Sequence, residues 1–167
     1  QYKQQTAQVR DIALRTGPGA VAPAFTLQDH ENKKVSLSDF KGKYVFLDFW
    51  GVGCGPCIYS IKTYGAGVHE KYKDLPVVFV NICVDTDEKK EWLESVRNLN
   101  LKGVNLIAPG WEEHPVAQAY NIRGIPHYLL IGPDGKIIRN NNIPLSYLCS
   151  NDNQLDELLK NYQPVSK

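Results

Sequence analysis

The apolar positions of this chain fall into short runs, and the spacing within each run separates strands from helices. Residues 24–27 and 34–37 are two short apolar-alternating runs flanking a polar turn at 29–33, and they predict a β-hairpin. Ser38, Asp39 and Phe40 start one helical turn that Gly42 ends. Residues 44–50 are apolar throughout except for Asp48, the pattern of a buried strand carrying one acid. From Cys57 to about Tyr72 the apolar residues Ile58, Ile61, Tyr64 and Val68 recur at helical spacing. Gly65 and Gly67 weaken that helix by about 1 kcal/mol each relative to alanine, so a kink is expected there.

The second half repeats the alternation. Residues 76–84 are β-branched and apolar, a strand covered on both faces. Thr86, Asp87 and Glu88 cap a helix running to about Leu99, with Trp92, Val96 and Leu99 inward. A short strand over 104–107, a loop over 109–114, a short helix over 116–120 and a strand over 127–131 follow. Gly132-Pro133-Asp134-Gly135 is a turn that returns the chain into a strand over 136–139, with a polar loop over 140–142. A last helix begins at Asp152, with Leu155, Leu158 and Leu159 on its apolar face, and the tail beyond Tyr162 is expected to fray. Strands alternating with helices imply an α/β sheet covered by helices on both faces. Residues 1–20 read as an N-terminal helix or tail broken by Gly17-Pro18-Gly19, and residues 21–167 as one domain.

Composition narrows the function classes more than it names one. The 167 residues suffice for one domain with a proper core, and 43% hydrophobic with 22% charged residues is ordinary for a soluble globular chain. A net charge of +1 supplies no attraction to nucleic acid or an anionic membrane surface, and no apolar run reaches membrane-span length. The chain starts at Gln1 and contains no methionine, which reads as a processed form from which a targeting segment has been removed.

Candidate chemistry concentrates at the end of the 44–50 strand. Cys54-Gly55-Pro56-Cys57 lies between a strand and a helix, the setting of a redox dithiol. A disulfide needs α-carbons roughly 4.4–6.8 Å apart, which two intervening residues in a first helical turn provide. Pro56 lacks an N–H and has a fixed φ, so it suits that turn. The helix N-terminus favours a thiolate at Cys54, the nucleophile, while Cys57 lies deeper and is the resolving thiol. Asp48 precedes Cys54 by six residues; buried without a cation, its carboxyl pKa rises and it can exchange a proton with Cys57, or else it is a hydrogen-bonded core acid. The other cysteines are Cys83, in an apolar run, and Cys149, near a late turn. One close pair does not make a four-cysteine metal site, and Ile58 stands where covalent haem attachment requires histidine. No metal and no cofactor is expected. A Cys83–Cys149 disulfide is possible without sequence support. His30, His69, His114 and His127 read as solvated or packing residues, with His127 beside Pro126 near the rim of the site.

These residues resemble the thioredoxin fold, and within it the TlpA/ResA-like thiol–disulfide oxidoreductases of the bacterial cell envelope, with wording closest to Bacteroides-type versions. The matching stretches are residues 22–27, 37–43, Phe49-Trp50 with Cys54-Gly55-Pro56-Cys57, Arg123-Gly124-Ile125-Pro126, and residues 131–138. The resemblance implies a central mixed sheet flanked by helices, with the N-terminal hairpin as an extension. It implies a cis Pro126 facing the redox pair, an Ile125 backbone that pairs with an extended substrate segment, and a proton-transfer role for Asp48. Trp50, Gly53, Gly55 and Pro56 complete the expected substrate-facing rim. It further implies disulfide-containing protein substrates, an upstream thiol electron donor, and a monomer in the periplasm or cell envelope.

Three residues depart from the family pattern. Gly53 replaces the bulky residue before the first cysteine, which opens the rim. Ser60 stands where many envelope members carry glutamate, which argues against cytochrome-maturation specificity, and Lys62 falls in the region of a missing helix proline. The expected activity is disulfide exchange in the reducing direction, since Gly-Pro between the cysteines resembles reducing thioredoxins near about −270 mV. Two rivals remain. A thiol peroxidase needs threonine three residues before its cysteine, where this chain has Gly51. A non-catalytic thioredoxin-like binding module would keep the dithiol as a structural bridge.

Overall fold

The computed structural model describes residues 14–141 and 143–162. The expected N-terminal helix up to residue 13 and the expected frayed tail after Tyr162 lie outside them.

Among the described residues the sheet has seven strands: β1 (Thr26–Gln28), β2 (Lys34–Ser36), β3 (Tyr44–Trp50), β4 (Val77–Cys83), β5 (Val104–Ile107), β6 (His127–Ile131) and β7 (Ile137–Asn140). Their spatial order is β2-β1-β5-β4-β3-β6-β7. The middle strands β5, β4 and β3 are parallel, and β6 and β7 add antiparallel on one side. The β1–β2 hairpin extends the other edge through a single antiparallel pairing, Gln28 with Ile107. Every residue of β3 is buried, Asp48 included, as a run apolar at all its other positions requires of a strand sandwiched between layers.

The helices are α1 (Gly55–Ser60), α2 (Ala66–Tyr72), α3 (Lys89–Asn98), α4 (Pro115–Ala119), α5 (Leu145–Cys149) and α6 (Gln154–Lys160). The sheet separates two apolar clusters. One joins Val45, Leu47 and Phe49 to Val80, Leu106 and the α4 region; the other joins Phe46 and Trp50 to Val68, Tyr72, Trp92, Leu148 and Leu155. Alternate residues of β3 therefore feed opposite layers, the period of two expected of a strand.

Local differences from the sequence expectations have physical causes. The kink expected at Gly65 and Gly67 is a π-turn over Ile61–Gly65 that links α1 to α2 without breaking the rod. The 109–114 loop contains a 3-10 turn, Trp111–Glu113. Asn140 extends β7 by pairing with Leu129, and its side-chain amide donates to the Thr16 carbonyl, so tertiary partners satisfy the polar residue. Helix α5 has no counterpart among the sequence expectations. It is one turn long, and five residues carry too little periodicity to announce it. Cys83 and Cys149 are both free, which removes the possible bridge between them.

Candidate functional site

Strand β3 ends at Trp50, three residues of turn follow, and Cys54 caps α1. Cys54 and Cys57 form a disulfide with Cα atoms 5.2 Å apart. Pro56 occupies the first turn of α1, where no N–H is needed. The Cys57 N–H points at Cys54 Sγ, 3.2 Å away, a donor that favours a thiolate there once the bridge opens. Cys54 is half-buried and Cys57 is 1% exposed. One sulfur is thus reachable and the other is sheltered.

Asp48 lies on β3 between Asn81 of β4 and Tyr128 of β6, and by the alternation of the strand it falls on the same face as Phe46 and Trp50, which pack in the cluster that holds Cys57. It is 2% exposed, and among the described residues its Oδ1 has no hydrogen-bond partner. Burial alone pushes its carboxyl pKa up to about 7, so the group is poised to hold or release a proton near neutrality. It borders a cavity of about 170 Å³ under the π-turn, which Phe46, Ile61 and Phe79 also line. Tyr128 OH donates to Ser60 Oγ at 3.2 Å, tying β6 to the end of α1.

The second expected element of the site arrives through the antiparallel pairing of β6 with β3. Phe49 pairs with His127, so the residues just before β6 lie at the same end of the sheet as the Cys54 turn. The Ile125–Pro126 peptide there is cis. Ile125 is half-buried and packs against the cluster that also holds Cys57. Gly53, Gly55 and Pro56 are exposed around the pair. His127 stacks edge-on against Phe49 and shares a 2.6 Å bond with Asn140 Oδ1; burial holds its pKa below the usual imidazole range. Trp50 departs from its expected place on the rim. It is fully buried in the core cluster with Cys57, because β3 is covered on both faces at that position.

One residue at the site goes unsignalled by the sequence pattern. Asp85, two residues beyond β4, accepts hydrogen bonds from the Val52 N–H at 2.8 Å and the Gly53 N–H at 2.9 Å. Its only mark in the sequence is an acid after a buried strand, which fits a helix-capping segment equally well.

The chain matches the Redoxin family over residues 18–159. It belongs to that family. Among the relatives of this Redoxin chain is the thiol-disulfide oxidoreductase ResA of Bacillus thuringiensis subsp. konkukian, 38% identical over 122 residues, which are 72% of this chain and 67% of that protein. ResA of Bacillus subtilis is 35% identical over 125 residues, covering 72% of this chain and 65% of its own length. The chain thus spans about two thirds of the length of these relatives. The thioredoxin domain of a thiol-disulfide oxidoreductase from Bacteroides vulgatus superposes with a TM-score of 0.71 at 27% identity, over 88% of this chain and 99% of that domain. A thiol:disulfide interchange protein from Bacteroides sp. gives 0.75 at 28% identity, over 86% and 91%. The fold is thioredoxin-like, in keeping with the seven-stranded mixed sheet and its helices on both faces. Among the described residues no helix is long and apolar enough to cross a membrane.

Proposed function

We propose that this chain is a thiol–disulfide oxidoreductase that reduces protein disulfides in the cell envelope. The observation that carries the reading is the Cys54–Cys57 bridge at the head of α1, one sulfur half-exposed and the other sheltered in the cluster against the β3 face that also carries the buried Asp48. In the reduced protein the Cys54 thiolate attacks a substrate disulfide. A Cys54–substrate bond forms and one substrate sulfur leaves as thiolate. Cys57 then passes its proton to the Asp48 carboxylate and attacks Cys54 Sγ. The intramolecular bridge re-forms, and the second substrate sulfur leaves and is protonated. Two electrons move from the protein to the substrate, and an upstream thiol donor restores the dithiol.

Ile125 and Pro126 fit a role in seating an extended substrate segment, since they stand at the same sheet end as Cys54. Gly53, Gly55 and Pro56 fit a low, open rim that admits a folded protein partner. The assignment to the periplasm or cell envelope rests on the resemblance to envelope oxidoreductases; fractionation of the host cell with an antibody to this chain tests it.

Equilibration of the Cys54–Cys57 couple against glutathione or dithiothreitol is the deciding experiment. A potential near the thioredoxin value of about −270 mV supports a reductase, and one near about −120 mV makes the protein an oxidant instead. Absence of a reversible couple overturns the redox reading. Cys54→Ser should abolish turnover with a protein disulfide, and Cys57→Ser should trap the mixed disulfide on a non-reducing gel.

A further inference from the structure

The turn that delivers Cys54 is held by a carboxylate from the neighbouring strand. Asp85 Oδ1 and Oδ2 accept the consecutive N–H groups of Val52 and Gly53, the two residues directly before the nucleophile. The same turn is tied by the Val84 N–H to the Trp50 carbonyl at 3.0 Å and by the Cys54 N–H to the Gly51 carbonyl at 3.2 Å. Asp85 lies against Gly51 so closely that a methyl group there would overlap its carboxylate. Glycine at 51 is therefore a steric condition of the clamp. At Gly53 a methyl group would sit 3.4 Å from the same carboxylate, an ordinary contact, so the clamp does not require glycine there.

No Lys or Arg side chain forms an ion pair with Asp85 among the described residues. The buried thiol of Cys83 also donates toward it, with Sγ 3.7 Å from Oδ1. A carboxylate met by two backbone amides and a thiol, with no cationic side chain paired to it among the described residues, leaves negative potential one residue from Cys54. That potential opposes a thiolate, so it disfavours the reduced form and makes the couple a stronger reductant.

We propose that Asp85 is a positioning residue of the redox site: its carboxylate clamps the Val52–Gly53 amides to aim Cys54, and its charge keeps the couple reducing. This rests on the oxidoreductase reading. The clamp acts on the oxidised and reduced forms through the backbone and touches no reacting atom.

Asp85→Asn keeps the size and one acceptor while removing the charge. Equilibrated against dithiothreitol, its couple should be about tenfold more readily reduced than the wild type, which is about 30 mV toward oxidising potentials. Gly51→Ala keeps the charge but drives the carboxylate off both amides. It should slow reduction of a protein disulfide about tenfold, with circular dichroism unchanged. A reversible wild-type couple that Asp85→Asn leaves unmoved overturns the electrostatic part. An unchanged exchange rate in folded Gly51→Ala overturns the clamp. Failure of either variant to fold leaves the other to decide, and a wild-type protein with no reversible couple overturns both the oxidoreductase reading and this one.

Discussion

Among single residues, Asp48 is where folding and chemistry compete. Its carboxyl is ordinarily half-protonated near 3.8 and is pushed up to about 7 by burial. The folded state therefore binds the proton more tightly than the unfolded chain does. Its contribution is fully favourable below about 3.8, and it is lost as pH rises through about 7. Asp48→Asn removes the charged form, so at pH 8 the variant should be more stable than wild type by on the order of 2–4 kcal/mol, read by urea denaturation at pH 4 and pH 8. The two proteins should converge at pH 4. Resolution of the mixed disulfide by Cys57 should slow at the same time, since the proton acceptor is gone, by about 10²-fold or more in stopped-flow exchange. Stability sacrificed at neutral pH for a titratable group is what a proton-transfer role predicts, and among the described residues Oδ1 has no hydrogen-bond partner to hold the acid in a purely structural role.

Among the elements, the C-terminal helices depend on one buried amide. Asn153 is 1% exposed; its Oδ1 caps α6 by accepting the N–H groups of Leu155 and Asp156. Its Nδ2 donates to Tyr72 OH at 2.9 Å and to the Leu148 and Ser150 carbonyls at 3.1 Å each, which joins α2, α5 and α6. Asn153→Ala removes the cap and the amide's own bonds to Tyr72 OH and to the Leu148 and Ser150 carbonyls, which keep the Lys71 ammonium and, at Leu148, the Tyr72 hydroxyl, at a cost of about 2–4 kcal/mol. The expected fall in Tm is about 5–15 °C by calorimetry, with the redox potential of the cysteine pair unchanged. Asn153 also shows why the α5 region is hard to read from local pattern. Its order comes from contacts with α2, some eighty positions earlier in the chain (81 residues for Asn153 to Tyr72), and such partners leave no local mark.

For the molecule as a whole, the two remaining cysteines should divide sharply. Cys83 is buried and burial pushes its thiol up to about 12, whereas Cys149 is exposed. In the oxidised native protein a thiol reagent should label Cys149 within minutes and Cys83 only on global unfolding, giving one fast and one slow site by mass spectrometry. Equal fast labelling of both would mean that the α-helical layer over β4 opens locally. The hairpin β1–β2 meets the rest of the sheet through one register pair, yet Leu27 and Phe25 enter the core cluster, so the extension folds as part of the domain.

Most of the architecture, and the identity of the dithiol, are written locally in the chain. Near-continuous apolar runs mark β3, β4 and β6 and helical spacing marks α3, because a strand buried on both faces or a helix buried on one must carry that burial in its own residues. Cys-Gly-Pro-Cys after a strand marks the site, because a short disulfide across a helical first turn depends only on local spacing. Other features exist only once the strands have met. Packing places Trp50 inside the core instead of on the rim, leaves Asp48 Oδ1 without a partner among the described residues, and keeps Cys83 and Cys149 apart. It also brings Asp85 across from the end of β4 to the turn before Cys54, more than thirty positions away in the chain (32 residues from Gly53). Burial and parallel pairing set those four outcomes, and both depend on which strands become neighbours, a choice that local sequence spacing does not encode.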